Sequence, residues 1–259
     1  MKKYIILFLI SISSSTYSQK TFSFESKIHP EKTYSLQMNI SLISETTINN
    51  KTTKSQSISK VTRETTTKKA NKNGLFPATM KFGDVIISGD GKEVLNPMSK
   101  TIINGLLSEN NKFTIDTIIN SKLDQHIKIA LKSAFKDLKP DIDFPKKPLK
   151  IGDSFVNKIP MTIPVNGEQV KVLITKTYTL KSVINNTAEF TVSEKISLNM
   201  ESLNISASGE GNGVVEFKIS ENQMVKDIAH FTINITIKKE NINVTGFVKS
   251  DSEKITRIN

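Results

Sequence analysis

The sequence contains no cysteine among its 259 residues. This absence excludes disulfides, thiolate zinc sites and a cysteine nucleophile. It also excludes the lipidated cysteine that anchors a bacterial lipoprotein. Beyond the first ten residues, no apolar run approaches the ~20 residues that a membrane-spanning helix needs. We therefore predict that the mature chain has neither a lipid anchor nor a transmembrane segment.

Histidine is also scarce. The three histidines are His29, His126 and His230, and no two of them have the spacing of zinc ligands. The carboxylates lack the alternating spacing and the distal glutamate of a calcium loop. The sequence therefore predicts no metal site and no cofactor.

Residues 1–18 have the composition of an export signal. Two lysines precede the apolar run Tyr4–Ile10, and small polar residues follow it. Cleavage between Ser18 and Gln19 fits the small-x-small rule of signal peptidase. We predict a signal peptide over residues 1–18 and a soluble mature protein in the periplasm or outside the cell.

The chain is basic, with a net charge of +11. Seven basic residues lie within positions 51–72: Lys51, Lys54, Lys60, Arg63, Lys68, Lys69 and Lys72. This stretch could dock on a polyanion or an anionic membrane. The composition favours another interpretation, an edge strand that lysine protects from aggregation. An exported protein rarely meets nucleic acid, so no nucleic-acid partner is predicted.

Period-two alternation of apolar and polar residues dominates the chain. Long alternating runs start near Tyr34, Val170, Ala188 and Phe231. This alternation predicts antiparallel strands with one buried face. From about residue 170 to residue 255 the runs predict a continuous β-meander.

Turn residues separate these runs. Asn166-Gly167 predicts a two-residue hairpin. Gly89-Asp90-Gly91, Asn185-Asn186, the glycine-rich run Gly209–Gly213 and Glu221–Gln223 are interpreted as further turns.

Two segments have helical spacing instead. Pro97–Ser108 carries apolar residues at helical positions, with Asn96 as a candidate N-cap. Ser121–Leu138 has one apolar face, and Ser121 and Asp124 form a start similar to a capping box. We expect this second helix to lie against the apolar side of the sheet.

The predicted fold is mainly β: a curved antiparallel sheet with one or two helices packed on it. We divide the mature chain into a β lobe at 19–95, a helical insert at 96–144 and a β-meander lobe at 145–259. Lys32–Leu36 recurs in similar form as Lys176–Leu180, which favours two pseudo-repeated lobes. A half-barrel is the alternative.

Gly152-Asp153-Ser154-Phe155 resembles the Gly-Asp-Ser-Leu block of a large family of serine esterases. Asp227-Ile-Ala-His230 resembles the Asp-x-x-His block of that family. The resemblance implies Ser154 as nucleophile, His230 as base and Asp227 as the acid that orients it. In those enzymes the serine block opens a helix, whereas strand-like residues follow Ser154. The context therefore favours a structural turn.

Residues 145–155, Pro-Lys-Lys-Pro-Leu-Lys-Ile-Gly-Asp-Ser-Phe, precede the predicted meander. They resemble the Pro-x-x-Pro-Val-Lys-x-Gly-Asp-Ser-Trp stretch of an uncharacterised family of exported bacterial envelope proteins, with Phe155 in the place of Trp. The resemblance covers mainly residues 145–250. It implies a β-rich exported protein and brings no catalytic residues.

These observations favour a non-enzymatic envelope protein that binds an apolar ligand or a partner protein between its sheet and its helix. The serine esterase and the polyanion-docking module through residues 51–72 are the alternative hypotheses.

Overall fold

A computed structural model describes residues 20–89, 92–136, 142–165, 168–200, 205–239 and 242–259. Within these residues the chain forms twelve strands and one α-helix. The strands are β1 (Thr33–Ile48), β2 (Lys51–Thr67), β3 (Phe76–Gly89), β4 (Lys92–Leu95), β5 (Ile102–Leu107), β6 (Phe113–Ile119), β7 (Ser154–Val165), β8 (Glu168–Ile184), β9 (Thr187–Met200), β10 (Ile205–Lys218), β11 (Gln223–Lys239) and β12 (Ile242–Ile258). The helix is α1 (Gln125–Lys136). The predicted signal peptide with its Ser18–Gln19 junction, Asp90-Gly91 of one predicted turn and the predicted hairpin turn at Asn166-Gly167 lie outside the described residues.

All twelve strands belong to one antiparallel sheet. Its order is β6-β5-β3-β2-β1-β12-β11-β10-β9-β8-β7, with β4 paired to β3. The strands from β7 to β12 form a meander, as the alternation predicts. Pairing of β1 with β12 joins this meander to the N-terminal strands, so both halves of the chain share one sheet. The prediction of a mainly β protein with an antiparallel sheet is confirmed.

The two faces of the sheet differ in chemistry. We call the face that carries Tyr34, Met38 and Leu42 of β1 the inner face. The other face, the outer face, exposes polar side chains such as Glu210, His230 and Lys249. Because side chains alternate along a strand, the period-two pattern of the sequence separates these two faces directly.

Two hydrophobic cores lie on the inner face, at the end where β1 begins and β12 ends. We call this the closed end and the opposite one the open end. The first core is built around Phe190, Phe217 and Leu180. The second is built around Ile103, Phe76 and Phe113. Both cores lie toward the closed end, so packed side chains cover the inner face at that end.

Two segments without regular structure close the first core. Phe24 of the N-terminal segment 20–32 stacks on Phe144, with ring centroids 5.3 Å apart, and meets Phe190 edge-on at 5.2 Å. Backbone hydrogen bonds between Phe22 and Leu149 join this segment to the loop before β7.

The same N-terminal segment reaches the second core through Ile28. Lys27 forms ion pairs with Glu109 at 2.9 Å and with Glu25 at 3.0 Å, and these carboxylates raise the pKa of Lys27. Residues 20–32 therefore tie both cores together.

The predicted helix at 97–108 is wrong. Residues 97–100 form a turn, and Ile102–Leu107 is strand β5. Asn96 does accept an N–H, from Met98 at 2.8 Å, but it does so within this turn. Ile103 and Leu107 are buried on one face of β5. Pairing with β3 and burial of these alternate residues prevailed over the helical spacing.

The second predicted helix is confirmed in shorter form as α1. Asp124 is its N-cap, since the Ile127 N–H donates to Oδ1 of Asp124 at 2.8 Å. The predicted end at Leu138 lies outside the described residues. Phe135 packs on Phe113, with ring centroids 5.9 Å apart, whereas Ile129 is exposed. The helix therefore covers only the margin of the second core.

Two further details differ from the predictions. Gly209–Gly213 lies inside β10 and is not a turn. Lys176–Leu180 lies in the second half of β8 and runs toward the closed end, whereas Lys32–Leu36 enters β1 away from it. The two similar pentapeptides therefore occupy different places in the sheet.

One predicted turn is confirmed, since Asn185-Asn186 forms the expected hairpin turn, with positive φ at both residues.

Candidate functional site

The open half of the inner face carries apolar side chains on five of the six neighbouring strands from β1 to β8. These side chains are half-buried: Leu42, Val248, Phe231, Ile233, Ile235, Ile196, Leu198 and Ile174. They extend from β1 to β8, about 24 Å across the sheet. The segments that fill the inner face, residues 20–32, α1 and the loop before β7, lie at the closed end.

Glycines of β10 form the floor of this surface. Gly209 and Gly211 point to the inner face, where the ring of Phe231 from β11 lies over both. A methyl group on Gly211 would approach Cδ2 of Phe231 and the His230 carbonyl oxygen to 2.6 Å. The glycines therefore let the aromatic ring of Phe231 lie close against the backbone of β10.

A cavity of about 270 Å³ lies beside the second core, between the inner face and α1. Met38, Met80, Phe113, Phe135 and Met224 are among its lining residues. Phe113 on β6 and Met224 on β11 are six strand spacings apart, about 29 Å on a flat sheet. Because both line one small cavity, the sheet is curved with the inner face concave. Met38 also connects the cavity to Leu42, which lies on the same face of β1.

Polar and cationic groups also contribute to the lining of the cavity. Arg63 and Thr65 of β2 and Lys254 of β12 line it, and none of the described lining residues is acidic. Tyr34 lies next to them, and burial raises the pKa of its hydroxyl group. The Tyr34 oxygen accepts the His29 N–H at 2.8 Å.

Thr65 has an unusual environment in this cavity. It is 5% exposed, and within the described part of the chain its Oγ1 has no hydrogen-bond partner. A buried hydroxyl group without a partner costs free energy, because it has lost its water. The lining of the cavity therefore includes a residue whose hydroxyl group has no hydrogen-bond partner among the described residues.

One ion pair interrupts the apolar surface. Lys176 of β8 and Glu194 of β9 face each other on the inner face, with Nζ and Oε1 2.5 Å apart. Their side chains are 23% and 12% exposed. The pair lies between the first core and the uncovered apolar residues, and its charges satisfy each other.

The three residues suggested by the esterase resemblance do not form a triad. Ser154 begins β7 and His230 lies on β11, so four strand spacings, about 19 Å along the sheet, separate them. Asp227 is the register partner of Val215 and shares its inner face, whereas His230 points outward. The Ser154 hydroxyl lies 2.7 Å from the Thr179 hydroxyl instead.

His230 has a different carboxylate partner on the outer face. Its Nδ1 lies 2.7 Å from Oδ1 of Asp251, and Lys249 lies 3.6 Å from the same carboxylate. The hydrogen bond with His230 is the main reason why the pKa of Asp251 is lowered. No group of His, Asp and Glu among the described residues is arranged to hold a metal ion.

The basic stretch 51–72 does not form one patch. Lys60 points outward from β2, whereas Arg63 points to the inner face. Lys54 is paired with Glu45 at 2.6 Å. Lys68, Lys69 and Lys72 are exposed in the loop after β2, and Lys51 is at the far end of that strand, about 55 Å away.

The edge-strand interpretation of this stretch is also wrong. Strand β2 pairs with β1 along its whole length and with β3 from Ser57 onward.

Comparisons with known proteins give little beyond the fold. No family model matches the chain, and no curated protein matches it. Among solved structures, the chain is similar to lipovitellin in a structure described as "Lipid-protein interactions in lipovitellin", with 11% sequence identity and a TM-score of 0.41. The match covers 89% of this chain and 26% of the other, so the chain spans about a quarter of that protein.

The sequence did contain a signal for the cavity residues. Val61, Arg63 and Thr65 have the same parity in β2 and therefore share the inner face. The net charge of the stretch does not reveal this alternation, because the lysines of the stretch do not share the inner-face position of Arg63 in the cavity lining.

No helix among the described residues is long and apolar enough to cross a membrane.

Proposed function

We propose that this protein binds an apolar ligand on the concave inner face of its sheet, without catalysis. The observation that carries the proposal is the half-buried apolar surface from Leu42 to Ile174, which none of the described helices or strands covers and which shares strand β1 with the cavity beside α1. Large exposed apolar patches on folded proteins mark sites of interaction. The surface is wider than the predicted groove between sheet and helix, because α1 covers only the margin of the face.

Two consecutive residues of β1 offer a matched test. Leu42 points to the inner face and its isomer Ile43 to the outer face, and both are half-buried. We expect purified protein to bind N-phenyl-1-naphthylamine with an increase in probe fluorescence. Leu42→Asp should weaken this binding at least tenfold, because it places a charge on the apolar surface. Ile43→Asp should leave the affinity unchanged.

The outcome decides the proposal in both directions. Absence of probe binding, or equal loss of affinity in both variants, would contradict it. If the protein passes this test, lipid extraction and mass spectrometry of protein purified from its native compartment would identify its natural ligand.

We also infer that the protein works outside the cytoplasm. The support is the pattern of residues 1–18 and the resemblance of residues 145–155 to exported envelope proteins. N-terminal sequencing of the protein from the periplasm or the medium should give Gln19 as the first residue. Recovery of the chain from the cytoplasm alone, with Met1 intact, would contradict export.

A further inference from the structure

We propose that the cavity beside α1 receives the carboxylate of a long-chain fatty acid, whose acyl chain then lies along the uncovered inner face. This inference rests on the proposed function and adds the chemical class of the ligand. It depends on the placement of Arg63, Thr65 and Lys254 in a cavity whose remaining lining is largely apolar.

Charge complementarity points to an anion. Arg63 and Lys254 line the cavity on opposite sides of β1, and no described lining residue carries a negative charge. Both cations also interact with other groups of the protein, so a ligand would join existing interactions and would not fill an empty pair. A guanidinium group keeps donors for a second acceptor, since it carries five N–H groups.

The Thr65 hydroxyl is the second, independent observation. Thr65 lies two residues from Arg63 on the same face of β2, and its buried Oγ1 has no partner among the described residues. A carboxylate is an acceptor with about four lone-pair sites, so one carboxylate has acceptor capacity for both the Thr65 hydroxyl and Arg63. The ligand would remove the cost of leaving this hydroxyl without a partner.

The size of the cavity favours one acyl chain. At about 30 Å³ for a water-sized group, a volume of about 270 Å³ holds roughly nine such groups. This is enough for a carboxylate and the first methylenes of a single chain. Beyond Met38, the rest of the chain would follow Ile40 and Leu42 along β1 onto the open half of the inner face.

The test compares cis-parinaric acid with its methyl ester. Both probes fluoresce in an apolar site, and they differ only in the charge of one end. We expect the wild-type protein to bind the acid at least tenfold more tightly than the ester. Binding of neither probe would contradict the apolar-ligand function itself. Equal binding of both would overturn only the fatty-acid assignment.

Variants of the cavity locate the carboxylate. Thr65→Val keeps the shape of the side chain and should lower affinity for the acid about tenfold while leaving ester binding unchanged. Arg63→Met and Lys254→Met should each reduce the preference for the acid. Lys60→Met on the outer face of β2 is the matched control and should change neither affinity. Unchanged preference in Thr65→Val and in both cation variants would overturn the assignment.

Asp227 provides a variant with the opposite expected sign. It is the register partner of Lys254 on β11 and lies on the same inner face. Asp227→Asn removes a negative charge near the cavity, so it should tighten acid binding a few-fold without affecting the ester.

Displacement of the probe by phosphatidylglycerol vesicles but not by palmitate would assign the cavity to a phospholipid phosphate and overturn the fatty-acid assignment. Thermal unfolding followed by circular dichroism shows whether each variant is folded.

Discussion

The closed and open ends of the inner face are built from the same strands and similar residues, but the described segments of the chain cover only the closed end. At the closed end, Phe190 is fully buried beneath Phe24 and Phe144. At the open end, Phe231 lies on a glycine floor and is half-buried. The comparison shows that one apolar face is packed against other segments at the closed end, where it stabilises the fold; the open end is where we propose that a ligand binds.

The largest expected effect comes from replacing one phenylalanine at each end with alanine. Phe190→Ala should lower the free energy of unfolding by about 3 to 5 kcal/mol, because it leaves a cavity inside the first core. Phe231→Ala should cost about 1 kcal/mol, since the ring is only half-buried, and should weaken binding of the apolar probe. Urea denaturation measures both free energies. Similar losses of stability would mean that the open end is covered in solution.

Two glycines of the inner face sharpen the comparison within the open end. Gly211→Ala should destabilise the protein by about 2 kcal/mol, since its Cβ would lie 2.6 Å from the His230 carbonyl oxygen. Gly246→Ala is the control, because the nearest atom to its Cβ would be 3.5 Å away. We expect that change to be tolerated in thermal unfolding. Equal melting temperatures for the two variants would contradict the role of Gly211 as a floor.

The ion pair at the boundary between the two ends should have a smaller effect. Lys176→Met leaves the mostly buried Glu194 carboxylate without its partner and should cost about 1 to 2 kcal/mol. The double variant Lys176→Met/Glu194→Leu should recover most of that loss, because no charge then remains. A double-mutant cycle in urea gives the coupling. Additive losses would show that the pair contributes nothing on this face.

The smallest effect is expected on the outer face. The pKa of Asp251 in the folded protein is lowered, so its contribution to stability is present above its ordinary value of 3.8 and is lost as the pH falls through the lowered value. Asp251→Asn should therefore flatten the dependence of stability on pH only in that acidic range. Because the carboxylate is exposed, the change should be a fraction of that of Phe190→Ala. A loss of stability at neutral pH as large as that of Phe190→Ala would contradict this order.

Much of the β-meander could be predicted from the sequence, since alternation reports which face a side chain occupies wherever strands are long. Prediction failed where the spacing of a short apolar segment fits both a helix and a strand. Ile102, Ile103, Leu106 and Leu107 fit a helix by spacing, but pairing with β3 buries Ile103 and Leu107. Glycines usually mark turns, but Gly209 and Gly211 lie inside β10, where the Phe231 ring of the next strand packs over them. Neither partner is visible in local sequence.

The candidate site was predicted only in outline. Large apolar faces indicated an apolar ligand, but the cavity residues Arg63, Thr65 and Lys254 come from strands that are far apart in the chain. Thr65 and Lys254 line one cavity only because β1 lies between β2 and β12 and pairs with both. The Ser154, Asp227 and His230 pattern failed for the same reason, since letters shared with a family do not fix which strands become neighbours.

The sequence by itself determined the class of secondary structure and the chemistry of each face, because both depend on alternation within single strands. The tertiary structure decided which end of the apolar face is covered and which residues surround the cavity. These features depend on where residues 20–32, α1 and the loop before β7 pack, and on the curvature that brings β6 near β11. Such contacts join residues distant in sequence, so no local pattern encodes them.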